Sequence, residues 1–216
     1  AYEAEYGNTC LDDYAGILAN HYAHAGDDEQ ALIYATRAGD LAAQVYANAE
    51  AVTFYTQALG AAKRSNATSA QFFQLYTKRG RAYELAADYV RAVDTYIEMQ
   101  TFGQTNGDRA LELESLISQG TAYAVGASGV QDKPKAETVS MQALALANEL
   151  GNRPAQARIY WNLLLNNRFT NDCSFKAVEY GEKSLAIARE LGMTEQIALT
   201  LKDLNVAYVV VGKSEL

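Results

Sequence analysis

Proline is nearly absent from the 216-residue chain, occurring only as Pro134 and Pro154. β-Branched residues are thin across most segments, so a sandwich, barrel or parallel sheet is not expected and helix is favoured nearly throughout. Cysteine is equally scarce. Cys10 and Cys173 lie far apart and belong to no CxxC pair, so they supply neither metal-ligand nor redox spacing and fit a reducing, cytoplasmic compartment. The only histidines, His21 and His24, fall within four residues of each other, which leaves no Ser/His/Asp or Cys/His nucleophile arrangement. Basic residues are outnumbered, 18 Lys and Arg against 26 Asp and Glu, for a net charge of −8. That balance opposes direct binding of nucleic acid. No apolar run reaches the roughly 18 residues of a membrane span. The opening AYEAEYGN has neither the basic nor the apolar region of a secretory signal. It also lacks a Met, as expected of a piece of a longer protein or of a processed chain.

What the chain has in abundance is alanine, 38 residues, and tyrosine, 15. They recur in a pattern. The leading alanines of EAVTFYTQAL, RAVDTYIEM, KAETVSMQAL and KAVEYGEKSL are Ala51, Ala92, Ala136 and Ala177, which are 41, 44 and 41 residues apart. Between them lie partner segments with an aromatic near the end, Tyr83, Tyr123 and Tyr208. Each repeat therefore reads as two helices of roughly 17 residues joined by short turns. An antiparallel pair packs closely only where a small side chain lets a large one enter from the opposite helix. Gly80, Gly120, Ala92 and Ala177 are the expected holes, and Tyr83, Tyr96, Tyr123, Tyr180 and Trp161 the expected knobs. One pair cannot bury its own apolar face, so several copies must stack.

These residues resemble the tetratricopeptide repeat. In residues 73–106, Tyr76 takes the place of its Trp, Gly80 its Gly, Tyr83 its Tyr, Ala92 its first Ala and Tyr96 its aromatic, while Met99 departs from the final Ala. A second copy from about 158 has Trp161, Leu164, Ala177 and Tyr180, with Arg168 where Tyr is usual. The resemblance implies an all-α, right-handed α-α superhelix, a solenoid of about ten helices. Residues 1–64 are expected to form an irregular cap and first repeat, because Ala31 and Ala51 are only half a repeat apart. Residues 65–216 would be the regular repeats, the last one incomplete. The stretch from Asp12 to Leu59, through Leu18, His21, Tyr22, Gly26, Asp27, Ala31, Leu32, Ala38, Gly39, Tyr46, Ala47, Glu50, Ala51 and Tyr55, resembles the repeat region of large bacterial signalling ATPases, relatives of LuxR-type activators and cyclase-associated regulators. It implies a sensor or partner-binding region with an ATPase domain upstream.

Other candidate chemistry is weak. Gly212-Lys213-Ser214 lacks the earlier glycine of a phosphate-binding loop, since Ala207 stands there. His21, His24, Asp27 and Asp28 could share a cation but form no HExxH. Asp12-Asp13, Asp27-Asp28 and the pair Glu112 and Glu114 have spacings that do not face each other on a helix, which excludes an acid/base dyad. Glu149, Glu182 and Glu190 read as surface ion-pair members. Asn66-Ala67-Thr68 reads as a loop or helix cap.

The resemblance also implies a groove lined by first-helix side chains. These are Gln74, Thr77, Arg81, Glu84 and Leu85; Glu114, Ile117, Thr121, Ala124 and Val125; Ile159, Asn162, Asn166, Phe169 and Thr170; and Leu199, Lys202 and Val206. Asn162 and Asn166, one turn apart, could clamp an extended peptide backbone through their amides. The set of basic residues that captures C-terminal carboxylates in chaperone-binding relatives is missing. The expectation is thus a non-catalytic protein-interaction or sensor module of a bacterial signalling or transcriptional regulator, with no cofactor and no metal, binding a protein or peptide partner or its own ATPase domain. The alternatives are a small-molecule inducer site floored by Trp161, Phe169 or tyrosines, and an oligomerisation scaffold. In the last case Val206, Val209 and Val210, left uncovered by the missing final helix, would support a homodimer.

Overall fold

The computed structural model describes residues 2–125, 129–168 and 174–212, with side chains from residue 11 onward except at 174. The chain is all-α: 85% is helical, and the described residues hold ten helices and no strand. They are α1 (Tyr2–Ala25), α2 (Asp28–Gln44), α3 (Asn48–Arg64), α4 (Ser69–Leu85), α5 (Tyr89–Asn106), α6 (Arg109–Ala124), α7 (Lys133–Glu149), α8 (Arg153–Asn167), α9 (Ser174–Glu190) and α10 (Thr194–Val210). From α2 onward each spans 15 to 18 residues, as the repeat length requires.

Local chemistry marks the helix starts. Asp27, Thr68, Asp108, Asp132 and Asn152 each accept a hydrogen bond from a first-turn amide, satisfying a donor that has no partner inside the helix. Thr68 closes a reciprocal capping box with Gln71, which makes the Asn66-Ala67-Thr68 sequence a helix cap. Both prolines fall in first turns, of α7 and α8, where a missing N–H costs nothing. The tight turns reverse through one left-handed residue. It is glycine before α2, α6, α8 and α10, at Gly26, Gly107, Gly151 and Gly192, but Tyr46 and Ala87 before α3 and α5.

The packing divides into two compact units, Ala1–Met99 and Gln100–Leu216, with the division inside α5. In the first unit α1 packs on α2, α2 on α3 and α3 on α4. The α2–α3 pair is regular, with Gly39 at the twelfth place of α2 as Gly80 is of α4. In the second unit α6 packs on α7, α7 on α8, α8 on α9 and α9 on α10, while α6 and α10 also touch α8 directly.

The knob-and-hole register is explicit. Ala51, Ala92, Ala136 and Ala177 occupy the fourth place of α3, α5, α7 and α9 and are fully buried. At the eighth place stand Tyr55, Tyr96, Ser140 and Gly181, facing Gly39, Gly80, Gly120 and Leu164 at the twelfth place of the preceding helix. A Cβ on Gly39 would lie 2.6 Å from the Tyr55 ring, and one on Gly80 would strike Tyr96. The fourth pair inverts this arrangement. There Gly181 is the hole, and Leu164 and Leu204 fill it, 3.3 and 2.5 Å from where its Cβ would be. The third pair, Gly120 and Ser140, has no large member.

Candidate functional site

That missing knob shapes the second unit. Asn162 of α8 enters the gap, its Nδ2 3.1 Å from where a Gly120 Cβ would stand. It is 1% exposed. Nδ2 donates to the Ile117 carbonyl at 2.9 Å, and Oδ1 accepts from the Thr121 hydroxyl at 2.8 Å. Asn166 is 5% exposed and donates to the Lys133 carbonyl at 3.1 Å, while its Oδ1 is buried without a partner. The expected Asn162–Asn166 peptide clamp is therefore corrected: both amides point into the protein and tie α8 to α6 and α7. A buried amide must take hydrogen bonds where packing offers them.

Around Asn162 the first-type helices α6, α8 and α10 enclose a recess of about 530 Å³. Ile117 and Thr121 come from α6, Arg158, Trp161 and Asn162 from α8, and Gln196 and Leu199 from α10, with Met193, Thr194 and Glu195 at the start of α10. Several polar side chains here are held from behind. Arg158 donates to Glu114 at 2.7 Å, Gln196 donates to Thr200 at 3.1 Å, and the Trp161 indole N–H donates to Asp203 at 2.9 Å. Asp203 is 4% exposed and also pairs with Arg168. Arg168 thus finds its compensation in a buried acid of α10. Thr200 in turn contacts the Ser184 hydroxyl at 3.0 Å, and Ser184 bonds the Ala157 carbonyl at 2.8 Å.

Of the expected groove residues, Ile117, Thr121, Asn162 and Leu199 line this recess, and Glu114 orients Arg158. Lys202 is exposed on α10 but does not line it. Phe169 and Thr170 lie outside the described residues. Gln74, Thr77, Arg81 and Glu84 belong to α4 in the first unit. Gln74 is exposed and Thr77 half-buried. Glu84 is taken up by Arg81 at 2.9 Å and by the Tyr96 hydroxyl at 2.8 Å, a packing role. Arg158, Asp203 and the first turn of α10 were not legible from repeat positions, which name the residues facing a groove and not the charges that orient them. The usable signal was Asp203 itself, the one acid of α10 beyond its first turn.

Several of the remaining polar groups are taken up in helix caps and ion pairs. Asp27 caps α2, and Asp28 receives Arg64 through both carboxylate oxygens at 2.8 to 3.2 Å. Among the described residues no group of three or more His, Cys, Asp and Glu is placed to hold a metal. Glu149 and Glu190 pair with Arg109 and Arg153, whereas Glu182 accepts from the Tyr208 hydroxyl. In the first unit Tyr55 donates to Asp40, Tyr76 to Glu98 and Tyr96 to Glu84. Burial, reinforced by these carboxylates, pushes all three phenols well above the usual tyrosine range. Burial alone would raise Glu98, but hydrogen bonds from Lys63 and Arg79 outweigh it and hold the carboxyl below its ordinary value.

No helix among the described residues is long and apolar enough to cross a membrane. A scan against protein-family models finds no match, and no curated protein matches the chain significantly.

Proposed function

We propose that this chain is a non-catalytic recognition module of a tetratricopeptide kind, from a bacterial signalling or transcriptional regulator, which receives a segment of a partner protein in the recess between α6, α8 and α10. One observation carries the reading: Arg158, Trp161 and Gln196 line the recess and are each fixed by a hydrogen bond to a residue outside it. Side chains locked in this way present a preformed surface, so little ordering opposes binding. The sequence resemblance of the first helices to signalling ATPases supports an ATPase domain of the same regulator as one partner. It also supports a cytoplasmic setting.

A second reading, a small-molecule inducer site, is favoured by the size of the recess, which falls within the roughly 300–1,000 Å³ of ligand pockets. The exposure of Val209 and Val210 on α10 is what supports the homodimer reading.

Trp161 is the only tryptophan, so its fluorescence reports directly on the recess. Titration with an array of extended peptides and with a metabolite set should give a saturable change for one class. Leu199→Arg, which places a long charged side chain across the opening, should abolish that response while the helical circular dichroism stays unchanged. An undiminished response in Leu199→Arg would overturn the assignment.

A further inference from the structure

The first unit carries a recess of different character, of about 640 Å³, where α1, the end of α2 and the start of α3 meet. Ile17, Leu41 and Val45 give it an apolar lining. Two of these are strongly exposed, Ile17 at 54% and Val45 at 73%, and the adjoining Tyr46 is 77% exposed. Asp12, Asp13 and Glu50 line it as well, and no Lys or Arg does. Arg37 neutralises Asp12 from outside at 2.5 Å. Asp13 and Glu50 have no ion-pair partner among the described residues.

We propose that this recess docks a basic amphipathic helix of a partner protein, a site separate from the recess around Asn162 and independent of its function. Exposed aliphatic side chains provide the apolar contact, and two unneutralised carboxylates beside them select a cationic occupant through complementary charge. The recess is bounded by helices, and an amphipathic helix laid in a groove is the recognition mode that meets exposed aliphatic side chains and adjoining carboxylates together. A second copy of this chain does not suit the site. Its net charge of −8 sets like charge against the acidic rim.

The test uses the full chain and a labelled helical peptide of Leu and Lys, its leucines at i, i+3, i+4 and i+7, read by fluorescence anisotropy. A Leu/Glu peptide of the same spacing is the comparison. The wild-type chain should bind the Lys peptide in preference to the Glu peptide. Asp13→Lys/Glu50→Lys should weaken binding about tenfold or more, and Ile17→Ser by a similar factor. Asp94→Lys/Glu137→Lys changes net charge by the same amount at exposed residues elsewhere and should leave binding intact. Circular dichroism verifies that every variant is folded. Failure of the wild type to bind, equal binding of the Glu peptide, or equal losses in the two double variants would each overturn the proposal. So would self-association that the Asp13→Lys/Glu50→Lys pair dissolves, since the occupant would then be a second copy.

Discussion

Asp203 illustrates how much one buried side chain can organise. Its carboxylate accepts from the Trp161 indole and pairs with Arg168, linking α10 to the middle of α8 and to the residue that ends it. Breaking a buried pair from one side leaves the other charge without compensation, which is where the penalty lies. Asp203→Ala should therefore destabilise the protein by about 3 kcal/mol in urea unfolding. It should also shift the Trp161 emission, because the indole loses its acceptor. An unchanged unfolding midpoint would show that Arg168 finds water or another acceptor at no cost. Asn162 makes a related point. An Asn on a helix face reads as a groove residue until its neighbour across the interface is known to be Gly120, whose missing side chain leaves the space that the amide fills.

At the scale of helices, the repeat is carried by places four and eight of one helix and place twelve of the one before it. The Ala places were legible from sequence because they are invariant across the four copies. The knob places were only partly so, since the large residue belongs to the second helix in two pairs, to neither in the third and to the first in the fourth. Turn chemistry varies too. Tyr46 adopts φ 59°, in the left-handed region that crowds a Cβ. Tyr46→Gly should remove that strain and raise stability by about 1 kcal/mol after the added flexibility of the unfolded chain is counted. The same exchange should weaken any partner contact that uses the exposed ring. Thermal unfolding of the variant checks the first effect, and a fall in midpoint would mean that the tyrosine ring packs more productively than its 77% exposure indicates.

For the molecule as a whole, the first unit should be the more sensitive to alkali; burial and the hydrogen bond to Glu182 also raise the Tyr208 phenol of the second unit, but that ring is much less buried. Tyr55, Tyr76 and Tyr96, all in the first unit, have folded pKa values raised above the unfolded value. Their contribution is fully present below the unfolded pKa of about 10 and is lost as pH climbs from there through the folded values. Hydrogen exchange followed by peptide mapping should therefore show residues 11–99 losing protection above about pH 10, ahead of residues 129–168. Glu98 acts in the opposite direction. Its folded pKa is depressed, so its contribution is present above the unfolded value and lost as pH falls through the folded one. Simultaneous loss in both units on the alkaline side would show that the three tyrosines do not govern the transition.

The sequence by itself determined the helical class, the length and number of the helices, the small-residue contacts at Ala51, Ala92, Ala136 and Ala177, and the cap at Thr68. Each of these follows from local propensity or from a period that repeats along the chain. Only the tertiary structure decided that Asn162 and Asn166 face inward, that Arg158 and Trp161 are held by Glu114 and Asp203, and that an acid-lined apolar recess lies beside Val45. Those features join residues 25 to 45 positions apart on different helices. Their geometry depends on which side chain occupies the opposite face, a fact that no single helix carries in its own sequence.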